Sequence, residues 1–217
     1  VYVATYDLNM ALKYVDEYDS FEPKNSSFFV TKGIVKYLTH DYETAYEILK
    51  KVYEANYSPA LFSKSACWLA RIELLKGNIE EAKKYFVFLQ NIGVDGASPL
   101  KIILNAEIEA SQGNYEVAIN ILETNNISVN GTLELMIFYA NILIRMKEYS
   151  KAKAVIEDFR QSHPITPEQI QIEIERYMAI IKKNLGESVE KSYSYFIKQI
   201  AKYSNIRSLD HIMAHYY

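Results

Sequence analysis

Five ten-residue stretches of this chain align on a single alanine. They are YDLNMALKYV (6–15), HDYETAYEIL (40–49), GNIEEAKKYF (77–86), GNYEVAINIL (113–122) and KEYSKAKAVI (147–156). The alanines are Ala11, Ala45, Ala82, Ala118 and Ala152, at intervals of 34, 37, 36 and 34 residues. Self-similarity at a fixed period of this length means stacked supersecondary units, each burying its apolar face on its neighbours, and not one layered core.

Within each stretch the third position is large (Leu8, Tyr42, Ile79, Tyr115, Tyr149) and the tenth is bulky and apolar (Val15, Leu49, Phe86, Leu122, Ile156). Spacings of three and four residues put these positions and the alanine on one helical face. Twelve residues before four of the alanines stand Gly33, Ala70, Ala106 and Ala140, all small. A small residue on each of two helices permits a close crossing, with large neighbours filling the space around it. Each repeat therefore reads as two helices. The first spans roughly 26–38, 62–76, 98–111 and 132–146; the second roughly 41–54, 78–91, 114–124 and 148–161. Between them lie His40-Asp41, Gly77-Asn78, Gly113-Asn114 and Lys147-Glu148, and Gly and Asn accept left-handed turn conformations. Pro23, Pro59, Pro99 and Pro164 punctuate the repeat boundaries, and loops such as Gly93–Gly96 absorb the extra residues of the longer repeats. With only seven glycines and five prolines, the chain reads as all-α.

The expected organisation is one solenoid over 1–217, a segment of a longer protein. Its repeats cover about 1–24, 25–60, 61–97, 98–131 and 132–166, with a degenerate C-terminal repeat or cap over 167–217. In that last pair Ala179 is the small residue of a helix over 168–185, a second helix follows over 187–203, and the alanine position is taken by Lys191. A short helix is expected over 206–216.

A helix–turn–helix repeat of this length, with a small residue on its first helix and a recurring alanine on its second, resembles the tetratricopeptide repeat. The prolines twelve residues after Ala11 and Ala152 also match that pattern. The chain departs from it where Lys36, Glu73 and Glu109 replace an aromatic late in the first helix. The resemblance implies a right-handed superhelical solenoid of about five repeats plus the degenerate pair. It also implies a concave face, lined by the first helices, that holds a partner peptide or helix. Carried onto this chain, the partner-facing candidates are Tyr37, Lys64, Trp68, Arg71, Glu107, Asn141, Arg145 and Tyr177, among apolar positions such as Val30, Ile34, Cys67, Leu75 and Ile103. Arg71 and Glu107 hold matching places in adjacent repeats and are positioned to pair with each other. The lysine–asparagine clamp that relatives use on a C-terminal carboxylate has no counterpart. Its positions here are Val30 and Ile34, Cys67 and Arg71, and Ile103 and Glu107.

No other chemistry stands out. His211 and His215 have helical spacing, but Ile212 stands where a zinc protease needs a glutamate. Glu80-Glu81 and Asp16-Glu17 point in different directions. Cys67 is the sole cysteine and lacks an activating neighbour in sequence, so a disulfide within the chain is excluded and a small buried apolar role is expected. Asn25-Ser26-Ser27, Asn126-Ile127-Ser128 and Asn130-Gly131-Thr132 match the glycosylation acceptor pattern, which matters only in a secreted protein. The 24 basic and 27 acidic residues are well mixed, and no apolar run is long enough to span a bilayer. The expectation is a non-enzymatic, cytoplasmic protein-interaction scaffold within a multi-protein assembly. It has no cofactor, no metal, no nucleic-acid contact and no membrane insertion, and it has the option of homo-oligomerisation through an incomplete terminal repeat. The alternatives are a peptide-sensing domain of a larger transcription regulator, or an envelope or secretion scaffold.

Overall fold

The computed structural model describes residues 8–19, 25–55, 58–91, 99–125, 127, 131–164 and 168–202. The described helices fall into two compact units, one within Leu8–Ile127 and one within Ser128–Tyr217. The first holds α1 (Leu8–Asp19), α2 (Ser26–Leu38), α3 (Tyr42–Ala55), α4 (Pro59–Leu75), α5 (Ile79–Asn91), α6 (Pro99–Ser111) and α7 (Tyr115–Thr124). The second holds α8 (Leu133–Arg145), α9 (Tyr149–Ser162), α10 (Glu168–Leu185) and α11 (Glu190–Lys202). The expected short helix over 206–216, with His211 and His215, lies outside the described residues, as do Pro23 and Gly93–Gly96. No helix among the described residues is long and apolar enough to cross a membrane.

The architecture is an all-α helical solenoid built by one packing rule. In the first unit α2, α4 and α6 each pair with the helix that follows, forming the hairpins α2–α3, α4–α5 and α6–α7. Each first helix also touches the next first helix, α2 on α4 and α4 on α6, while α3 packs on α4 and α5 on α6. In the second unit the hairpins α8–α9 and α10–α11 join through α9–α10 and α8–α10 contacts. Ala45, Ala82, Ala118 and Ala152 are wholly buried, and Ala70, Ala106 and Ala140 are too. At the α2–α3 crossing, a Cβ on Gly33 would come within 2.6 Å of Leu49 Cγ. Glycine stands there because the Leu49 side chain occupies the space that an alanine would fill.

The turns repeat as faithfully as the helices. His40, Gly77, Gly113, Lys147 and Gly186 all have positive φ, between 62° and 85°. In each, the left-handed residue and the one after it donate backward onto the last turn of the preceding helix. Gly77 N donates to Leu74 O at 3.0 Å and Asn78 N to Glu73 O at 2.8 Å, for example. These bonds satisfy carbonyls that the helix end would otherwise leave open.

The departures from the family pattern are explained at the same turns. Asn78 Nδ2 donates to Glu73 Oε2 at 2.7 Å, and Asn114 Nδ2 to Glu109 Oε2 at 2.8 Å. Lys36 Nζ lies 3.7 Å from Asp41 Oδ2. Where an aromatic is absent, a polar side chain staples the turn.

Two helix boundaries differ from expectation. Helix α4 begins at Pro59, because Ser58 caps it and proline suits the first helical position. Helix α11 begins at Glu190, so the turn after α10 is longer than the others. That shift exposes Lys191 and buries Ser192, which takes the small-residue role.

Candidate functional site

Helix α4 is central to the first unit, and its stripe Lys64, Trp68, Arg71 and Leu75 follows helical spacing. Trp68 is only 7% exposed and joins the core with Val30, Ile34, Leu49 and Leu69. Two groups flank its ring. Tyr37 of α2 meets it edge-on with centroids 4.8 Å apart, and the Arg71 guanidinium lies 4.7 Å from its centroid. Arg71 Nε in turn donates to Glu107 Oε2 of α6 at 2.8 Å. One row of contacts therefore runs Tyr37–Trp68–Arg71–Glu107 across three successive first helices. The pairing of Arg71 with Glu107 expected from their matching positions is present. Their side chains are 12% and 19% exposed, so this pair is shielded from solvent in a way that ordinary surface ion pairs are not.

The row extends beyond the residues anticipated. Tyr37 also meets Tyr42 at 5.5 Å, and the Tyr42 hydroxyl and His40 Nδ1 share a hydrogen bond of 2.6 Å. Burial raises the Tyr42 pKa above its ordinary value of 10.0. Among the described residues the buried Trp68 Nε1 donor has no hydrogen-bond partner, nor has the Ser65 hydroxyl one turn earlier.

Lys64 is exposed, and no ion pair involves it among the described residues. Leu75 is 55% exposed at the far end of the stripe. The apolar positions Val30, Ile34, Cys67 and Ile103 are buried and serve packing between repeats. Burial pushes the Cys67 thiol from an ordinary 9.0 up to about 11, so it is neutral and unreactive at physiological pH. The remaining anticipated residues belong to the second unit. Asn141 is half-buried and Arg145 exposed on α8, while Tyr177 is buried on α10 with the Arg176 guanidinium 4.3 Å from its ring centroid.

A second aromatic group escaped the sequence reading. Tyr53 stacks on Phe62 at 4.3 Å and meets Tyr85 at 5.4 Å, and Phe88 approaches Phe62 at 5.0 Å. Its members come from α3, α4 and α5, so no periodic signal links them. The acceptor-type sequences have a structural account. Asn25 caps α2, accepting from Phe28 N at 2.8 Å, and Thr132, which ends Asn130-Gly131-Thr132, caps α8. Ser58, the cap of α4, ends a further such triplet, Asn56-Tyr57-Ser58. Asn126 and Ser128 lie outside the described residues. Glu80 and Glu81 pair along their own helix with Lys83 and Lys84. Among the described residues no group of three or more His, Cys, Asp or Glu is placed to hold a metal ion.

Neither a protein-family model nor a curated protein matches the sequence. Solved structures do match in fold. A thermophilic TPR protein from Thermus thermophilus superposes with a TM-score of 0.64 at 16% identity, covering 88% of this chain and 100% of that one. A tetratricopeptide repeat protein from Parabacteroides merdae does so with a TM-score of 0.64 at 16% identity, covering 98% of this chain and 79% of that one. With the in-phase alanines, the paired helices and the left-handed turns, these matches establish that the chain has the fold of the tetratricopeptide repeat proteins.

Proposed function

We propose that the protein is a non-enzymatic scaffold that binds a partner peptide or helix along the face formed by α2, α4 and α6, within a larger protein assembly. The observation that carries this reading is the row Tyr37–Trp68–Arg71–Glu107, which ties three first helices together. Exposed Lys64 and Leu75 lie at its margins. Aromatic and arginine side chains are the commonest interface anchors. A face pre-formed by packing between repeats also limits the ordering cost of association. A partner would lie across the helices, touching one turn of each.

The test is site-specific photo-crosslinking in the native extract. A benzophenone side chain is placed at Lys64, at Leu75 or, as a control, at exposed Val117 of α7. One partner captured from 64 and 75 but not from 117 supports this face. Capture from 117 alone moves the interaction to the second helices and overturns it.

A further inference from the structure

The first helices of the two units seat on the hairpin before them through the same places. In α10 the small residue Ala179 is accompanied by Ile174, Tyr177, Met178 and Ile181, all buried. They stand five, two and one residues before it and two after it. In α4 the same four places around Ala70 are Ser65, Trp68, Leu69 and Ile72, again all buried. The last three of these join the core of the preceding α2–α3 hairpin. Beyond α11 the pattern returns. Around Ala214 the same four places are Leu209, Ile212, Met213 and Tyr216, and none is polar in the way a solvated helix face would be. Ala214 follows Ser192, the small residue of the α11 crossing, by 22 residues, the interval that separates Ala118 from Ala140. Residues 203–205 connect the end of α11 to this stretch, and a connection of equal length, 56–58, leads from α3 to α4.

Helix α11 supplies the receiving side. One and eight residues after the crossing alanine, a second helix reaches the repeat that follows it. In α3 these places are Tyr46, whose ring lies 4.3 Å from Lys76 Nζ, and Tyr53, which stacks on Phe62. In α9 they are Lys153, paired with Glu187 at 2.7 Å, and Arg160, paired with Glu175. In α11 the same places are Tyr193 and Ile200, so its flank follows the apolar form of α3 and not the charged form of α9.

We infer that the flank of the α10–α11 hairpin is a docking surface for residues 206–216 of the same chain, which form a further first helix and seat Leu209, Ile212, Met213 and Tyr216 on it as α4 seats on α2–α3. Eleven residues are too few for a helix that persists alone in water, so helix formation and docking are one event, driven by burial of those four side chains. In this register His211 and His215 take the places that Cys67 and Arg71 hold in α4, three residues before the small residue and one after it. The first-helix side of the second unit thereby gains two imidazoles one turn apart. The face formed by α2, α4 and α6 plays no part in this.

The test is amide hydrogen exchange of the 217-residue chain, with a synthetic peptide of residues 203–217 as the undocked reference. Amides of 209–216 are expected to exchange at least about tenfold more slowly in the chain than in the peptide, and equally so at two protein concentrations. Met213→Asp should remove the protection, because docking would bury an unpaired charge. His211→Asp, on the opposite side of the same helix, should keep it. Exchange in the native chain as fast as in the peptide overturns the inference. Protection that survives Met213→Asp, or that both variants lose, overturns the register. Protection that grows with protein concentration assigns the surface to a second copy and overturns docking within one chain. The crosslinks from positions 64 and 75 judge the other face separately.

Discussion

Glu73 and Asn78 are joined twice. The Asn78 backbone N–H donates to the Glu73 carbonyl at 2.8 Å, and the Asn78 side-chain amide donates to the Glu73 carboxylate at 2.7 Å. The first bond belongs to the left-handed turn. The second replaces an aromatic contact of the family pattern with a polar one. Glu109 and Asn114 repeat the arrangement, and Lys36 with Asp41 is its charged counterpart.

Asn78→Ala is expected to destabilise the first unit by about 1 to 3 kcal/mol, because it leaves the Glu73 carboxylate buried with its closest donor removed. Asn114→Ala should cost less, since Glu109 is less buried than Glu73. Urea denaturation of the two variants checks the order, and equal losses would contradict the role assigned to burial.

Gly33→Ala adds one methyl group 2.6 Å from Leu49 Cγ. Overpacking of this kind costs about 1 to 3 kcal/mol, partly offset by the roughly 1 kcal/mol that alanine gains over glycine in a helix. A lower Tm is expected for Gly33→Ala. The double variant with Leu49→Ala should show the two changes to be strongly non-additive.

Lys147 is exposed and adopts φ 62°, the conformation that Gly77 and Gly113 hold without a side chain. Lys147→Gly is expected to stabilise the protein by up to about 1 kcal/mol, and Gly77→Ala to destabilise it by a similar amount. Thermal melts of both variants test whether the left-handed geometry, and not residue identity, sets the turn.

Burial raises the Cys67 thiol to about 11 from an ordinary 9.0. The folded chain therefore keeps a proton that the unfolded chain has lost. Stability should be unaffected by this group below pH 9 and fall as pH rises toward 11, by about 2 to 3 kcal/mol. Tyr42, Tyr53 and Tyr85 are raised by burial too, so the loss continues above pH 10. Cys67→Ala should flatten the slope of the denaturation midpoint between pH 9 and 11. Identical slopes would show that the thiol does not titrate with unfolding.

The repeat phase, the helix pairs, the small residues at the crossings and the positions of the turns were all legible in the one-dimensional pattern. The reason is that helical periodicity and left-handed turn chemistry are local, set within a few residues of Ala82 or Gly77. The pairing of Arg71 with Glu107 could be anticipated because repeats at a common spacing place matching residues side by side. Tertiary packing alone decided that Trp68 is covered by Tyr37 with its N–H unpartnered and that Ser192 replaces Lys191 in the last crossing, whereas the staples made by Lys36, Glu73 and Glu109 join residues only five apart and turned on side-chain rotamers. The covering of Trp68 depends on the separation of α2 and α4, whose contacting residues Tyr37 and Trp68 lie 31 positions apart in sequence. No local pattern encodes that distance, and packing against neighbours on every side sets it.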